Sequence, residues 1–453
     1  MTRGRDQGFT LIELTVALVA GLAVVLGLMA LSREASRTFN EEVRSTASEA
    51  SLRTANDRLR ADLSRAGFMS TGNIQTDPNV CLPLGTAIST LTLPAQIKTL
   101  QSILLYEGAG ANAPTSQTSP LSASQNPVLA PDIILIAGNM TTAEQLPILS
   151  MGAAPSGNCT RIMLSPVSPA LYRIAPPSST QQAQDFTNAF QPVAGKQFIA
   201  RLVDETGHTQ YLETCNESSP AAAGIDGNGN FYVDIAPDTV VYAPSATQTK
   251  CGVGAQSSGH AYINPVQVVR WEIAQAAVFE ATSAAQYSNA LGNLSAAYGT
   301  IDPNKYDLIR SYVDAVGNTL YASSELIAEY AVDFDFAFSI DSGTALAPSP
   351  STFAFGDNTN NDAWTGSVSG STSKPQRLRD VRYRIVTRTA LGDRTVNVAV
   401  SAPPQYHNGE YLYRYCINPT SCTKSSPDGT FCWARTRTIT GEASLPNLQS
   451  DYF

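Results

Sequence analysis

The clearest candidate for chemistry is a short loop in which oxygen-bearing side chains recur at alternate positions. Four residues carry the oxygens: Asp226, Asn228, Asn230 and Asp234. Such spacing is typical of loops that fold around calcium. The loop departs from the usual calcium pattern, because Phe231 replaces the glycine of the sixth position and Pro237 replaces the glutamate of the twelfth. An Asn-Gly turn between two strands is the alternative interpretation, so calcium at these four residues is one of two predictions.

The three histidines give little support for catalysis. His208, His260 and His407 stand in turn-like sequences, and none lies near a nucleophile motif such as G-x-S-x-G. The sequence therefore offers no Ser/His/Asp centre and no histidine metal site. We predict that the protein is not an enzyme and has no cofactor apart from the calcium just considered.

Seven cysteines are the other reactive side chains, and all of them lie beyond residue 80. In an exported protein they should form disulfides and leave one thiol over. The sequence does not fix connectivity, although Cys81 with Cys159 and Cys215 with Cys251 are plausible pairs. Two of the last three cysteines should bond to each other; these three are Cys416, Cys422 and Cys432. No C-x₂-C pair or nearby histidine accompanies them, which argues against zinc.

The charge of the chain narrows its partners. The formal net charge is −9, and the sequence contains no long basic run. Both observations argue against binding of nucleic acid by a basic patch.

An apolar run at residues 9–31 is the first element that must position any site. It contains 23 residues and a single charge, Glu13. As a helix it would be about 35 Å long, which is enough to cross a bilayer core of about 30 Å. Arg3 and Arg5 precede it and favour a cytoplasmic amino terminus, with the remainder exported. A carboxylate in such a segment is costly, so Glu13 should have a partner, and an amino terminus newly made at Phe9 could supply one.

Two simpler interpretations of this run are available. An ordinary secretory signal would end in a small-residue cleavage site, and nothing like A-x-A follows residue 31. An uncleaved membrane anchor is the second, but it leaves Glu13 unexplained.

The helix should continue beyond the apolar run. Residues 33–66 contain no proline or glycine, and small or apolar residues recur every three to five positions, which places them on one face. Gly67 then supplies a helix stop. We predict one helix of about 58 residues, roughly 87 Å long, with its second half lying against a globular head.

The rest of the chain reads as strands between Ser/Thr/Asn/Gly/Pro-rich loops. The predicted strands are residues 133–137, 161–164, 198–203, 209–213, 231–235, 266–273, 332–340, 381–389, 394–400, 411–416 and 433–440. A turn at residues 205–207 should join two of them. Residues 108–127, 243–259 and 341–374 should be surface loops or insertions, and residues 274–298 could form a short helix.

The amino-terminal sequence carries a specific family resemblance. A polar leader ending in Gly8, then Phe9-Thr10-Leu11-Ile12-Glu13 and an unbroken apolar helix, resembles the class III signal of type IV pilins and type II secretion pseudopilins. The resemblance implies that a prepilin peptidase cuts between Gly8 and Phe9 and methylates the new amino group. It also implies that Glu13 assists docking into a filament.

Looser matches point to one branch of that family. Residues 64–68, 132–135, 326–330, 332–334, 337–341, 381–385 and 447–448 are similar to PilW-type minor pilins. We therefore expect an α+β fold in which a long N-terminal α-helix packs on a large β-rich, pilin-like head with insertions. The expected divisions are a leader at 1–8, a transmembrane or filament-core helix at 9–31, an amphipathic helix at 32–67 and an exported head at 68–453.

The resemblance implies a structural function. The chain would be a minor pilin that helps initiate a type IV pilus and stays at or near its tip. The alternatives are a J-type minor pseudopilin of a type II secretion system and a tip-located adhesin. Its partners would be major and minor pilins, the prepilin peptidase, the inner-membrane assembly platform and a tip protein. Before assembly it would span the inner membrane once with a periplasmic head, and afterwards it would lie in the fibre or its tip.

Overall fold

The structure is a computed structural model. It describes residues 10–82, 86–106, 131–155, 158–177, 181–215, 222–236, 251–252, 261–275, 305–344, 347–355, 364, 374–392, 406–407, 411–412, 414–417 and 433–448.

A single long helix, α1 (Leu11–Ser64), opens the described chain. It has 54 residues and is about 80 Å long. It ends where the sequence predicts, because Gly67 adopts a positive φ of 71° and donates its N–H to the carbonyl of Ala137 at 2.9 Å. A side chain at Gly67 would also meet Leu448 at 2.6 Å, so the close approach of the head requires glycine here.

The larger of two main sheets has eleven antiparallel strands. These are β1 (Ile103–Tyr106), β2 (Ile133–Gly138), β3 (Leu146–Ala153), β4 (Thr160–Leu164), β5 (Ile199–Val203), β6 (Thr209–Glu213), β7 (Ala223–Ile225), β8 (Phe231–Ile235), β9 (Tyr262–Gln275), β10 (Tyr306–Val313) and β11 (Thr319–Ala328). The main path runs β1-β2-β9-β3-β4-β8-β7, while β5 and β10 also pair with β9 and are followed outward by β6 and β11. The long strand β9 therefore joins both parts of this sheet.

The second main sheet has five strands in the order β13-β12-β14-β18-β17. Its strands are β12 (Ala331–Asp341), β13 (Pro350–Thr352), β14 (Leu378–Arg388), β17 (Arg414–Cys416) and β18 (Trp433–Ser444). A two-stranded ribbon pairs β15 (Tyr406–His407) with β16 (Tyr411–Leu412). Three short helices complete the head: α2 (Ala95–Lys98), α3 (Pro169–Ile174) and α4 (Gln182–Phe190).

The three largest hydrophobic clusters among the described residues lie in the head. The first lies between the second half of α1 and both sheets, with Leu59 and Trp271 among its fully buried members. The second packs α3 and α4 against β3, β4 and β8 around Phe186. The third covers the opposite face of β1, β2 and β9 with the segment that includes α2. Strand β2 is buried on both faces, which explains its continuous apolar sequence.

Most of the predicted strands are confirmed. Strands are present at 133–138, 160–164, 199–203, 209–213, 231–235, 262–275, 331–341, 378–388 and 433–444. The predicted strand at 411–416 is formed as two short strands, whereas 394–400 lies outside the described residues. The helix predicted at 274–298 is wrong at its start, because β9 continues through Gln275; residues 276–298 are not described.

Several strands lack a simple pattern in the sequence. Strand β3 contains Pro147 and Gly152, and β10 contains the buried polar residues Asp307, Arg310 and Ser311. Polar residues on a buried strand disrupt the alternation from which a strand is usually predicted.

The predicted fold class is confirmed: the fold is α+β, with a long apolar N-terminal helix and a large β-rich head.

Candidate functional site

The first turn of α1 holds Glu13 within its own chain. Thr10 is the N-cap, and its hydroxyl accepts a hydrogen bond from the Glu13 N–H at 3.3 Å. The Glu13 carboxylate in turn accepts from the Thr10 N–H at 3.0 Å and from the Thr10 hydroxyl at 2.9 Å. This is a capping box, which satisfies otherwise unpaired donors at a helix start.

This partner is one that the sequence analysis missed, although the T-x-x-E signature was visible. Glu13 was expected to depend on an amino group at Phe9, and Gly8 and Phe9 lie outside the described residues. Cleavage between them and the docking role of Glu13 both stay predictions. A carboxylate in the first turn also interacts favourably with the positive end of the helix dipole.

The apolar half of α1 is not buried against the described part of the head. An 18-residue window within α1 has a mean hydropathy of 2.6 and is 0 % buried inside the protein. By length and composition α1 is able to cross a membrane. An apolar surface of this extent needs a lipid or protein environment, because exposing it to water is costly.

The other half of α1 is fixed on the head by a buried carboxylate. Asp62 accepts a hydrogen bond from the indole Nε1 of Trp271 at 2.9 Å and another from Nε of Arg310 at 2.6 Å. Asp62 is 4 % exposed and Trp271 is fully buried. Burial lowers the pKa of Arg310, but the charge and hydrogen bond of Asp62 outweigh it and the pKa is raised. Arg310 therefore keeps its positive charge at ordinary pH.

We call the contact of Asp62 with Trp271 and Arg310 the helix seat. Smaller contacts between α1 and the head continue from this seat along the helix. The Tyr383 hydroxyl donates to Oδ1 of Asn56 at 2.9 Å, and its ring lies against Gly441, where a Cβ would come within 2.3 Å of it. Nearer the apolar half of α1, Arg437 donates to the Ser45 hydroxyl at 2.6 Å. These contacts place the second half of α1 against β14 and β18 in one register.

The proposed calcium loop forms a hairpin turn between β7 and β8. The carboxylate of Asp226 accepts the backbone N–H of Asn228 at 2.9 Å and that of Asn230 at 2.8 Å, and Gly229 has a φ of 83°. These bonds hold the pKa of Asp226 below its usual value, with the Asn230 N–H as the largest cause.

Two other hairpins repeat this turn. Asp204 and Asp314 each accept the N–H groups two and four residues further along, and Gly207 and Gly317 occupy the position of positive φ. The shared pattern is Asp-x-x-Gly-x, found at residues 204–208, 226–230 and 314–318. A turn of this kind needs no metal, since the aspartate satisfies the backbone by itself.

Asp234 is not brought to that turn. It lies in β8 with both carboxylate oxygens bound to Arg161, at 2.8 Å from Nε and 2.7 Å from the terminal nitrogen. Among the described residues no group of three or more His, Cys, Asp or Glu is placed to hold a metal ion. Calcium binding by Asp226, Asn228, Asn230 and Asp234 is a prediction that the arrangement leaves without support.

Two disulfides are formed among the described cysteines, and they correct the plausible pairs. Cys81 bonds to Cys251 and Cys159 bonds to Cys215, so the pairs Cys81–Cys159 and Cys215–Cys251 are wrong. Strand neighbours decide the pairing rather than order along the chain. Cys81 donates its N–H to Thr209 of β6 at 2.8 Å, beside the turn whose Asp204 carboxylate binds the N–H of Gly252.

The second bridge follows the same logic. Cys215 lies two residues after the end of β6 and donates its N–H to the carbonyl of Asp234 in β8 at 2.9 Å. Strand β8 pairs with β4, which begins beside Cys159. The backbone of Cys416 lies in β17, but its side chain and both Cys422 and Cys432 are outside the described residues. A bond within this group stays a prediction.

The described histidines lie in turns or ribbons. The ring of His208 is within hydrogen-bond distance of the Thr206 hydroxyl, at 2.7 Å, inside the β5–β6 turn. His407 belongs to β15, and His260 is not described. The structure therefore forms the Thr10–Glu13 cap at the start of α1 and the Asp62–Arg310–Trp271 contact near its end. The candidate metal ligands, in contrast, are divided between a turn and a strand.

Three comparisons with known proteins were negative. A scan against protein-family models, a search of the curated proteins and a search of the solved structures each found no match to this chain.

Proposed function

We propose that this chain is a minor pilin of a type IV pilus, which helps initiate assembly and is located at or near the fibre tip. One observation carries the proposal. A helix whose first half is apolar and uncovered, directly after the sequence Gly8-Phe9, continues without interruption into a half that is fixed on a β-rich head. A filament of packed helices is the arrangement that would cover the first half and display the head.

In this proposal Glu13 has two successive partners. Before assembly Thr10 holds its carboxylate at the start of the helix, which limits the cost of keeping a charge near lipid. In the fibre the amino group of Phe9 on a neighbouring subunit would replace or supplement Thr10. A subunit that arrived out of register would bury the carboxylate without a cation, which costs several kcal/mol.

Processing is tested first. Mass spectrometry of the protein from its native membrane should find a chain that begins at Phe9 with a methylated amino group. A mature chain that still begins at Met1 would contradict the proposal.

Incorporation is tested with Glu13→Val in place of the native copy. Cleavage and head folding should persist, since they need the Gly8–Phe9 junction and the core rather than this carboxylate. Immunoblots of sheared fibres should show a sharp loss of the subunit and fewer fibres. Thr10→Val is the matched control, because it removes the hydroxyl that binds Glu13 and keeps both the backbone N–H of residue 10 and the carboxylate. This variant should be incorporated. Normal incorporation of Glu13→Val would overturn the docking role.

The J-type pseudopilin is the main competing function, because its leader and helix are shared. A head that begins at residue 68 and extends to residue 453 is large for a pseudopilin, and this favours the pilus. Deletion of the gene separates the two functions: loss of surface fibres supports the minor pilin, whereas loss of protein secretion with fibres intact supports the pseudopilin.

A further inference from the structure

The two main sheets of the head are fastened to each other at Asp132. This residue lies directly before β2 of the eleven-stranded sheet, and it donates its N–H to the carbonyl of Phe334 at 2.7 Å. Its carboxylate accepts the N–H of Phe336 at 3.0 Å. Both phenylalanines belong to β12 of the five-stranded sheet, so Asp132 holds one sheet against the other. We call these two hydrogen bonds the sheet joint.

Carboxyl groups are concentrated at the sheet joint. Asp335 lies between the two phenylalanines on β12, and its side chain forms a hydrogen bond with that of Asp132. Asp333 lies two residues earlier on the same strand. Asp132 and Asp333 are buried, and the side chain of Asp335 is 15 % exposed. Water therefore screens the repulsion between these groups poorly.

Arginine side chains approach the carboxyl groups from the neighbouring strand. Arg384 of β14 is paired with Asp335 and lies 3.3 Å from an oxygen of Asp333. Arg382, two residues earlier, donates instead to the backbone carbonyl of the residue that follows β13, at 2.7 Å. On the far side of β14, the exposed Glu442 of β18 stands opposite Arg382. Arg384 is therefore a cation that opposes the repulsion between Asp333 and Asp335.

The hydrogen bond between Asp132 and Asp335 needs a proton, because two ionised carboxylates have none to donate. Burial is the largest cause that raises the pKa of Asp335 to about 7, and the charge of Asp333 adds to it, although Arg384 acts in the opposite direction. Asp335 is thus the group that keeps the proton. Its loss would place two like charges side by side at the sheet joint.

We propose that the sheet joint is a pH-sensitive switch: protonated Asp335 donates to Asp132 and keeps the joint closed, and loss of this proton opens it. A carboxyl whose pKa is higher in the closed than in the open joint stabilises the closed form fully below about pH 4, and this contribution is lost as pH rises through about 7. The two sheets both hold α1, one through Arg310 and the other through Tyr383. The switch therefore acts on the contact between the two supports of the helix.

Amide hydrogen exchange of the full-length chain in detergent micelles tests this switch. The measured quantity is the protection of single amides, corrected for the rise of intrinsic exchange with pH. Protection of Phe336 should fall about tenfold or more between pH 5 and pH 7.5, because one titrating group changes an equilibrium by up to about tenfold per pH unit. Ala337 is the internal control, because its N–H points to the opposite edge of β12, where it pairs with Arg382 of β14. Its protection should fall less.

Two substitutions remove the switch in different ways. Asp335→Asn does not titrate, and its amide donates to Asp132 at any pH. Asp132→Asn supplies an amide that donates to an ionised Asp335. In each variant the fall at Phe336 should be at least about threefold smaller than in the native protein, whereas Asp57→Asn, exposed on α1, should keep the native fall.

Near-UV circular dichroism shows whether each variant folds. Asp132→Asn replaces Asp335→Asn if the latter does not fold, and the native comparison of Phe336 with Ala337 decides if neither folds. Constant protection of Phe336 in the native protein, an equal fall at Ala337, or the native fall in a folded variant at Asp132 or Asp335 would overturn the proposal.

Discussion

The two halves of α1 form one continuous helix but differ in their surroundings: the second half is packed on the head, and the first half is exposed. In the second half Leu59 and Leu63 are fully buried and Asp62 is paired with Arg310 at 2.6 Å. In the first half Leu22 and Leu26 are each 58 % exposed. The single charged side chain of the apolar run at 9–31, Glu13, bonds to Thr10 three residues before it. The head therefore specifies the second half, whereas the first half carries an apolar surface that must be covered from outside.

This difference shows why a helix alone does not reveal its function. Both halves form helix. Only their contacts show that the second half packs on the head, whereas the first half has an apolar surface without cover from the described residues. Substitutions in the two halves should consequently act on different properties, and the following predictions test that separation.

The largest effect is expected from Asp62→Ala. It would leave the guanidinium of Arg310 buried without its carboxylate, and breaking a buried pair in this way costs about 3–5 kcal/mol. Urea denaturation of the full-length protein in micelles, followed by tryptophan fluorescence, measures the free energy of unfolding. Asp57→Ala, exposed on the same helix, should change it by less than about 0.5 kcal/mol. A loss below about 1 kcal/mol for Asp62→Ala would show that the seat does not depend on this pair.

A matched pair of leucines compares the halves directly. Leu59→Ala removes a fully buried side chain and should lower the free energy of unfolding of the head by about 2–5 kcal/mol. Leu22→Ala, at an exposed position, should leave it unchanged within about 0.5 kcal/mol. The same denaturation experiment measures both. Equal losses would mean that the two halves unfold as one unit with the head.

The pH dependence of stability should arise in the head. Burial raises the pKa of Asp307 to about 6 although Lys305 opposes the shift. A carboxyl with a higher pKa in the folded than in the unfolded state keeps its proton preferentially when folded. Its contribution is fully present below about pH 4 and is lost as pH rises through about 6, by roughly 1–3 kcal/mol.

Thermal denaturation between pH 4 and pH 7 measures this dependence. Asp307→Asn should make the profile less steep across that window, because the amide does not titrate. A slope should remain from Asp335, because burial raises the pKa of its carboxyl to about 7. Asp57→Asn is the control and should keep the native slope. An unchanged slope in Asp307→Asn would assign the pH dependence to other groups.

The smallest effect is expected at the amino-terminal cap. Thr10→Val removes the hydroxyl that binds Glu13, and loss of an N-cap costs about 0.5–2 kcal/mol. Because the first half of α1 does not contact the head, the loss should be confined to the first turn. Amide hydrogen exchange in micelles should accelerate at residues 11–14 and remain unchanged at residues 52–63. Faster exchange along the whole helix would show that the halves are coupled.

The sequence predicted those features that depend on local patterns. The apolar length of α1, its end near Gly67 and most of the strands follow from periodicity and turn residues. The Asp62–Arg310 pair was beyond reach, because its partners are 248 residues apart and each looks like an ordinary surface charge. The disulfide partners were mistaken for the same reason: their proximity comes from strand order, which periodicity does not encode. The Thr10 cap and the three Asp-x-x-Gly-x turns were readable but missed, since the oxygen spacing at Asp226 was interpreted as a metal signal.

The second half of α1 and the head residues that bind it are far apart in sequence. This separation determines the order in which they are synthesised and can fold together. The second half of α1 is synthesised well before Arg310 and the strands of the five-stranded sheet. Contacts between such distant residues form slowly, because a long loop must close before they contribute. During that interval the apolar stripe around Leu59 has no cover, which makes the growing chain most vulnerable to aggregation before β10 is complete. The second half of α1 is therefore made before the strands that hold it in place.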